Sequence, residues 1–347
     1  MGNEYDVIIV GAGSSGLMLS YLLPKNLKIL ILEKNKKVEI KSTGLVSQRF
    51  FEVVKNLKNK DLIVNTFDKA TLFFPHGNLN LKSKGKMFLL DVKKFGKVLL
   101  DLVRKNKNIK LFFNINFIRN DKNKIFTSKK IFRTKVLVGA DGPLSKVAEA
   151  NGIKLSKELF SGSEGIVERQ FRNLVELHFD EDLSKKYFSW VVPENKKRAR
   201  VGIISEPDVA NKLNKFLEKR FGKTKIKNLY GDVIRIGVPD RTYFESGFLI
   251  GDAAGQVKPY SAGGFTYSAM AVKIATEAIK KAFEKNDFSA EFFKENYEKK
   301  WKKMLLPAIK KGYMARRTFG TLKKSRIAFH LTSKMRKIIE KSDLDLM

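Results

Sequence analysis

Six residues near the start of the chain, Gly11-Ala12-Gly13-Ser14-Ser15-Gly16, have the spacing G-x-G-x-x-G. The pattern suits chemistry carried by a bound dinucleotide. Gly11 permits a tight turn, Gly13 lets the backbone approach a diphosphate, and Gly16 lets a helix lie close to a strand, while the helix N-terminus offers donors and partial positive charge. Glu33, beside Lys34, falls at the end of the next apolar run, where a carboxylate can accept hydrogen bonds from both ribose hydroxyls of an adenosine. NAD and FAD share this unit. A second stretch separates them: GFLIGDAAG, Gly247 to Gly255, followed by Gly263-Gly264 before a helix. A strand carrying Asp252 into the same crevice would let its carboxylate bind ribityl or phosphate-proximal groups of a flavin, and the later glycines and helix start would stabilise negative charge at the flavin's pyrimidine edge.

Other chemistries are excluded by what is missing. The 347 residues include no cysteine, which rules out disulfide frameworks, thiolate metal sites, iron–sulfur clusters and cysteine nucleophiles. Three scattered histidines (His76, His178, His330) argue against a metal centre, and none is expected. No Ser-His-Asp set, paired catalytic carboxylates or phosphate-transfer signature emerges, and His178 reads as a strand residue at or near the surface.

These residues need elements to hold them. Tyr5 to Val10, the helical spacing of Leu17, Leu19, Leu22 and Leu23, and the run Leu27 to Lys34 make a βαβ unit that opens a parallel sheet. A loop and helix follow near 41–60, then antiparallel strands between Thr71 and Leu90, a helix over Asp91 to Lys105, and a small meander from 109 that ends in the strand Lys135 to Val138. Strand-like stretches alternate with turns from Ser161 to Asp240, with a helix at Val209 to Phe221, and a long helix runs from Gly264 to Lys285. The fold class is therefore α/β, a Rossmann-like cofactor domain with an inserted antiparallel-sheet substrate domain and a helical C-terminal region. Residues 1–70, 91–160 and 241–285 form the first, 71–90 and 161–240 the second, and 286–347 the last.

With VLVGADGPLSKV (Asp141-Gly142) between them, GAGSSG plus Glu33 and GDAAG resemble, in chain order, the three fingerprints of the FAD-dependent hydroxylase superfamily. Within it the chain resembles geranylgeranyl reductases, the archaeal and plant enzymes that saturate isoprenoid chains. YFSWVVP, Tyr187 to Pro193, is similar to their Y-x-W-x-F-P motif with Val192 for Phe, and Gly251 to Met270 is similar to their G-D-A-A-G-x-x-x-P-x-x-G-G-G-I motif. Ser42-Thr43-Gly44-Leu45 stands where many of them carry a C-x-G-L loop, and Val92 follows Asp91 where an Arg is usual. The resemblance implies FAD held by Gly11 to Gly16, Glu33, Lys34, Ser42, Thr43, Gly44, Asp141, Gly142, Gly251, Asp252, Ala253, Gly255, Pro259, Gly263 and Gly264. In the superfamily the Asp-Gly motif serves both FAD and pyridine nucleotide. Catalytic roles fall to Ser42, Tyr187 and Trp190; alternation on a strand puts Phe188, Trp190 and Val192 on one face as an apolar wall and Tyr187, Ser189 and Val191 on the other. Such a wall suits either a prenyl chain or ordinary sheet packing. Alkene reduction needs a hydride from reduced flavin and a proton at the neighbouring carbon, and Tyr187, Tyr260, Ser42 and a bound water all remain open as proton donors. NAD(P)H or ferredoxin would supply electrons.

The charge has several readings. Lys+Arg 69 against Asp+Glu 36 gives a net +33, which fits biased composition, adaptation to heat, or attachment to an anionic membrane holding a prenyl-lipid substrate. Phe319, Leu322, Ile327, Phe329, Leu331, Met335, Ile338 and Ile339, among many cations, suit either interfacial helices or a cap on the cofactor domain. No nucleic-acid reader motif accompanies the charge. With no apolar run of about eighteen residues and no secretion signal, a cytoplasmic protein, peripheral on the inner face of the membrane, is expected. The rival activities are a flavin monooxygenase acting on a small aromatic, a flavin-dependent halogenase, whose W-x-W-x-I-P motif YFSWVVP partly matches, and a non-catalytic flavin-binding partner of membranes or RNA.

Overall fold

A computed structural model describes residues 3–55, 60–206, 208–322 and 326–341. The chain opens on β1 (Glu4–Val10), α1 (Ser14–Leu22) and β2 (Ile29–Leu32), leaves through β3 (Leu45–Ser47), α2 (Gln48–Val53) and the hairpin β4 (Ile63–Phe74)–β5 (Gly77–Leu90), and returns through α3 (Val92–Arg104). Then come β6 (Ile109–Phe112), β7 (Phe117–Asp121), β8 (Lys124–Thr127), β9 (Ile131–Gly139) and α4 (Lys146–Ala150). A second excursion runs β10 (Glu158–Glu168), β11 (Val175–His178), β12 (Ser189–Asn195), β13 (Arg198–Ser205), α5 (Val209–Phe221) and β14 (Ile226–Ile236). The chain ends on β15 (Tyr243–Phe244), β16 (Gly247–Leu249), α6 (Phe265–Lys285), α7 (Ala290–Phe293), α8 (Lys299–Leu322) and α9 (Arg326–Lys341).

Two sheets result. The first has the order β15-β16-β9-β1-β2-β6, parallel from β16 to β6, with β8 and β7 added antiparallel on β9. Its central strands are apolar throughout because both faces are covered: Val7, Ile9, Ile29 and Ile31 pack under α1, α3 and α6, while Ile8, Val10, Leu30 and Leu32 pack with Phe117, Ile125 and Phe132 on the opposite face. The second sheet, β14-β10-β13-β12-β11-β4-β5-β3, is antiparallel except where β11 joins β4. One face carries Phe160, Trp190 and Val192, which pack with Val257 of the first layer; the other carries Val191, Val201 and Ile203 under Leu213 and Phe216 of α5. The α/β expectation of a Rossmann-like domain, an inserted sheet and a helical C-terminal part is met.

Three local expectations need correction. The hairpin begins at Ile63 rather than near Thr71, because register shifts at Ile63/Asn65 and Phe67/Lys69 break the alternation by which a strand is recognised. Residues 109–112 pair with β2 inside the parallel sheet and do not belong to the meander. Tyr187 precedes β12, where alternation does not yet apply; its N–H is held by Ser184 Oγ at 3.0 Å and its ring joins Phe188, Trp190 and Val192 instead of facing away. In the C-terminal region, Phe329 packs on Phe74 of the hairpin with ring centroids 6.0 Å apart. The side chains of Phe319, Leu322, Ile327, Leu331, Met335, Ile338 and Ile339 lie outside the described part.

Candidate active site

The turn between β1 and α1 is shaped by what its glycines touch. Gly11 adopts φ +104°, and a Cβ there would lie 2.3 Å from the Ala140 carbonyl oxygen; one at Gly16 would lie 2.1 Å from the Gly11 oxygen. Gly13 is the opposite case, with nothing within 4 Å of its Cβ position. Gly13 also caps α1, which begins at Ser14, without a side-chain hydrogen bond, so the helix start presents uncapped amides beside open space. Glu33 is buried, and its two carboxylate oxygens accept the N–H groups of Ala12 and Asn35, each at 2.8 Å. Lys34 is exposed.

The second motif comes to the same place. Gly251 adopts φ +65° with its Cβ position 2.3 Å from Ser15 Oγ, so the two glycine-rich turns touch. Residues Gly251–Ala254 form a short 3-10 turn, Ala253 is buried, and Gly255 closes against the Gly237 carbonyl. Asp252 Oδ1 lies 2.9 Å from the Cβ position of Gly264, which caps α6 without a side-chain bond, and Gly263 is nearly as open as Gly13. Burial pushes the Asp252 carboxyl up to about 6, with the charge of Asp232 adding to the effect.

Asp141 is committed locally. Its carboxylate accepts from Ser145 Oγ at 2.6 Å and from the N–H groups of Lys146 and Val147 at 2.7 and 3.1 Å, so it fastens the start of α4; burial nevertheless raises its pKa. Gly142, at φ +81°, has open space at its Cβ position.

Across the crevice, the loop 41–44 is tied to the second sheet. Lys41 donates to the Gly231 carbonyl at 3.3 Å, beside Asp232; Thr43 Oγ1 donates to Glu164 at 2.5 Å; Arg200 donates to the Thr43 carbonyl. Ser42 Oγ accepts the Gly44 N–H at 3.1 Å. Trp190 Nε1 also donates to Glu164, at 2.8 Å, and Tyr230 does so at 2.7 Å. Tyr187 is fully buried: it donates to the Pro259 carbonyl at 2.9 Å and accepts from Arg316 at 3.3 Å, and Arg316 pairs with Glu158. Burial raises the Tyr187 hydroxyl far above its ordinary range, against the pull of Arg316. Tyr260 is half-buried. His178 lies outside this crevice, bonded to Glu176 and stacked on Phe73. Among the described residues no group is placed to hold a metal ion, and no helix is long and apolar enough to cross a membrane.

Two uncapped helix starts, an open glycine and a buried carboxylate beside the β1–α1 turn fit a dinucleotide with an anionic diphosphate. The FAD binding domain family matches residues 4–281, from β1 almost to the end of α6. The chain belongs to this family. It is an FAD-dependent oxidoreductase. A similar uncharacterized protein of Methanocaldococcus jannaschii is 30% identical over 336 residues, covering 91% of this chain and 84% of that one. The digeranylgeranylglycerophospholipid reductase of the same organism is 27% identical over 328 residues, covering 87% and 83%. A geranylgeranyl bacteriochlorophyll reductase-like protein from Thermoplasma acidophilum shares the fold, with TM-score 0.85, 21% identity and coverage of 99% and 94%. The reductase relative agrees with the motif resemblance.

The residues of this flavoprotein that motif reading did not single out are Glu164, Arg200, Tyr230 and Arg316. Only Glu164 left a signal in the sequence: it keeps strand parity with Phe160, an acid on an apolar face. The others reach the crevice from β13, β14 and α8, and nothing in their local sequence says so.

Proposed function

We propose that the protein is a geranylgeranyl reductase-type enzyme that saturates isoprenoid C=C bonds of membrane prenyl lipids or their precursors. One observation carries the reading: the apolar wall of Phe160, Phe188, Trp190 and Val192 packs toward Val257 and Ala262 of the loop that follows Asp252. A wall of this kind suits a long hydrocarbon held beside the cofactor, and the reductase relatives lend it a substrate class. FAD, when bound, supplies the hydride, and NAD(P)H or ferredoxin replenishes it.

The chain's own residues bind and orient. Gly13 and the start of α1 would hold the diphosphate of FAD, Glu33 its adenosine ribose, and Asp252 with Gly142 its ribityl side, while Gly263, Gly264 and the start of α6 would stabilise negative charge on the reduced flavin. Tyr187 acts as a strut between the wall and Pro259, since its proton is committed there. Ser42, whose oxygen accepts from Gly44 and keeps its own proton for another partner, is the proton donor to test. Ser42→Ala should lower kcat roughly 100-fold; an unchanged kcat leaves Tyr260 or a bound water as the donor.

The deciding experiment is anaerobic. With the bound flavin reduced, adding a prenyl lipid should reoxidise it and saturate the chain, read by absorbance and mass spectrometry. Reoxidation only with oxygen, giving a hydroxylated product, overturns the reductase reading in favour of a monooxygenase.

A further inference from the structure

We infer that Glu164 is a positioning residue that ties the loop Ser42–Gly44 to Trp190 and thereby sets the width of the crevice in which a prenyl chain lies; the inference rests on the substrate reading above. Glu164 is 4% exposed and shares a strand face with Phe160. Its Oε2 accepts two hydrogen bonds, from Thr43 Oγ1 at 2.5 Å and from Trp190 Nε1 at 2.8 Å. Its Oε1 accepts Tyr230 OH at 2.7 Å. Three donors from three separate segments thus converge on one buried carboxyl group.

The indole is fixed from a second direction. Trp190 lies over Gly202 of the neighbouring strand, where a Cβ would come within 2.3 Å of Cζ2. The loop also has a second tie, through Arg200, which donates to the Thr43 carbonyl and pairs with Glu194 at 2.9 Å. Thr43 belongs to the connection that leaves the first sheet, and Trp190 to the wall of the second. They meet at one oxygen atom, so a movement of the loop is passed directly to the indole.

The test uses the full-length FAD-loaded protein with Glu164→Gln, Thr43→Val and Tyr230→Phe. Subtracting the emission of Trp190→Phe isolates the Trp190 spectrum, which should shift in both Glu164→Gln and Thr43→Val because each alters the shared oxygen. The prenyl-lipid KM should rise roughly tenfold in Glu164→Gln, by more than kcat falls, the scale of one lost hydrogen bond. The effects of Thr43→Val and Trp190→Phe on KM should fail to add. A Trp190 spectrum unchanged by Thr43→Val, or additive effects on KM, would reduce Glu164 to a staple of the fold and overturn the inference. If Glu164→Gln does not fold, Thr43→Val and Tyr230→Phe carry the same comparisons. If the wild-type protein turns over no prenyl lipid, the substrate reading fails, while the emission spectra still decide for or against the tie.

Discussion

Gly13 and Gly16 stand in one turn and face opposite demands. A methyl group at Gly16 collides with the Gly11 carbonyl, whereas at Gly13 it enters open space. Gly16→Ala should therefore destabilise the protein by about 2 kcal/mol or more, while Gly13→Ala should keep the apoprotein's melting temperature and lose FAD affinity, measured by flavin titration. Asp252 shows the same tension between stability and function. Its folded pKa of about 6 lies above the unfolded carboxylate value, so the stability it contributes is present below about pH 4 and is lost as the pH rises through 6. Above that, the ionised group is a strain on the apoprotein. Asp252→Asn should stabilise the apoprotein at pH 7 to 8 by on the order of 1–3 kcal/mol and weaken FAD binding; equal melting curves there would remove the claim.

Among the elements, α5 is held to the outer face of the second sheet by ions as well as by Leu213, Phe216 and Leu217. Arg220 makes two bonds to Glu176, at 2.8 and 2.9 Å, and His178 contacts the same carboxylate at 2.9 Å. Burial would raise the Glu176 carboxyl, but the bonds from His178 and Arg220 outweigh it and lower the pKa to about 2. The contribution is complete above about pH 4.5 and disappears as the pH falls toward 2. Glu176→Gln should lower stability at pH 7 by about 1–3 kcal/mol and flatten the acid limb of the melting temperature between pH 2 and 4.5. On the opposite side, α8 reaches the crevice through Arg316, so that Tyr187, Pro259 and Glu158 are drawn together by a helix distant from them in sequence. Arg316→Leu should loosen Tyr187 and lower catalytic efficiency before it lowers secondary-structure content by circular dichroism.

For the whole molecule, a net charge of +33 sets a field rather than a site. If the proposed prenyl-lipid substrate lies in an anionic membrane, the protein should sediment with anionic vesicles, release as salt is raised, and ignore neutral vesicles. Equal binding to both kinds would leave composition as the reason for the charge.

The opening βαβ unit of the parallel sheet and the three glycine motifs were legible in the sequence, because each depends on neighbours in the chain: apolar runs specify strands buried on both faces, and glycine spacing marks turns where backbone meets backbone. The edge strand Ile109–Phe112, partly exposed, read as part of the meander. The strand Ile63–Phe74 was hidden in part, since bulges break the alternation that announces it. Tyr187 was misdirected for the related reason that the strand starts two residues later. What tertiary structure alone decided was the company each polar group keeps. Asp141 and Asp252 look alike as Asp before or after Gly, yet one is spent on the start of α4 and the other faces the crevice. Glu164 acquires its partners from three segments remote in sequence, and a buried carboxylate takes its meaning from the donors that solvation no longer supplies.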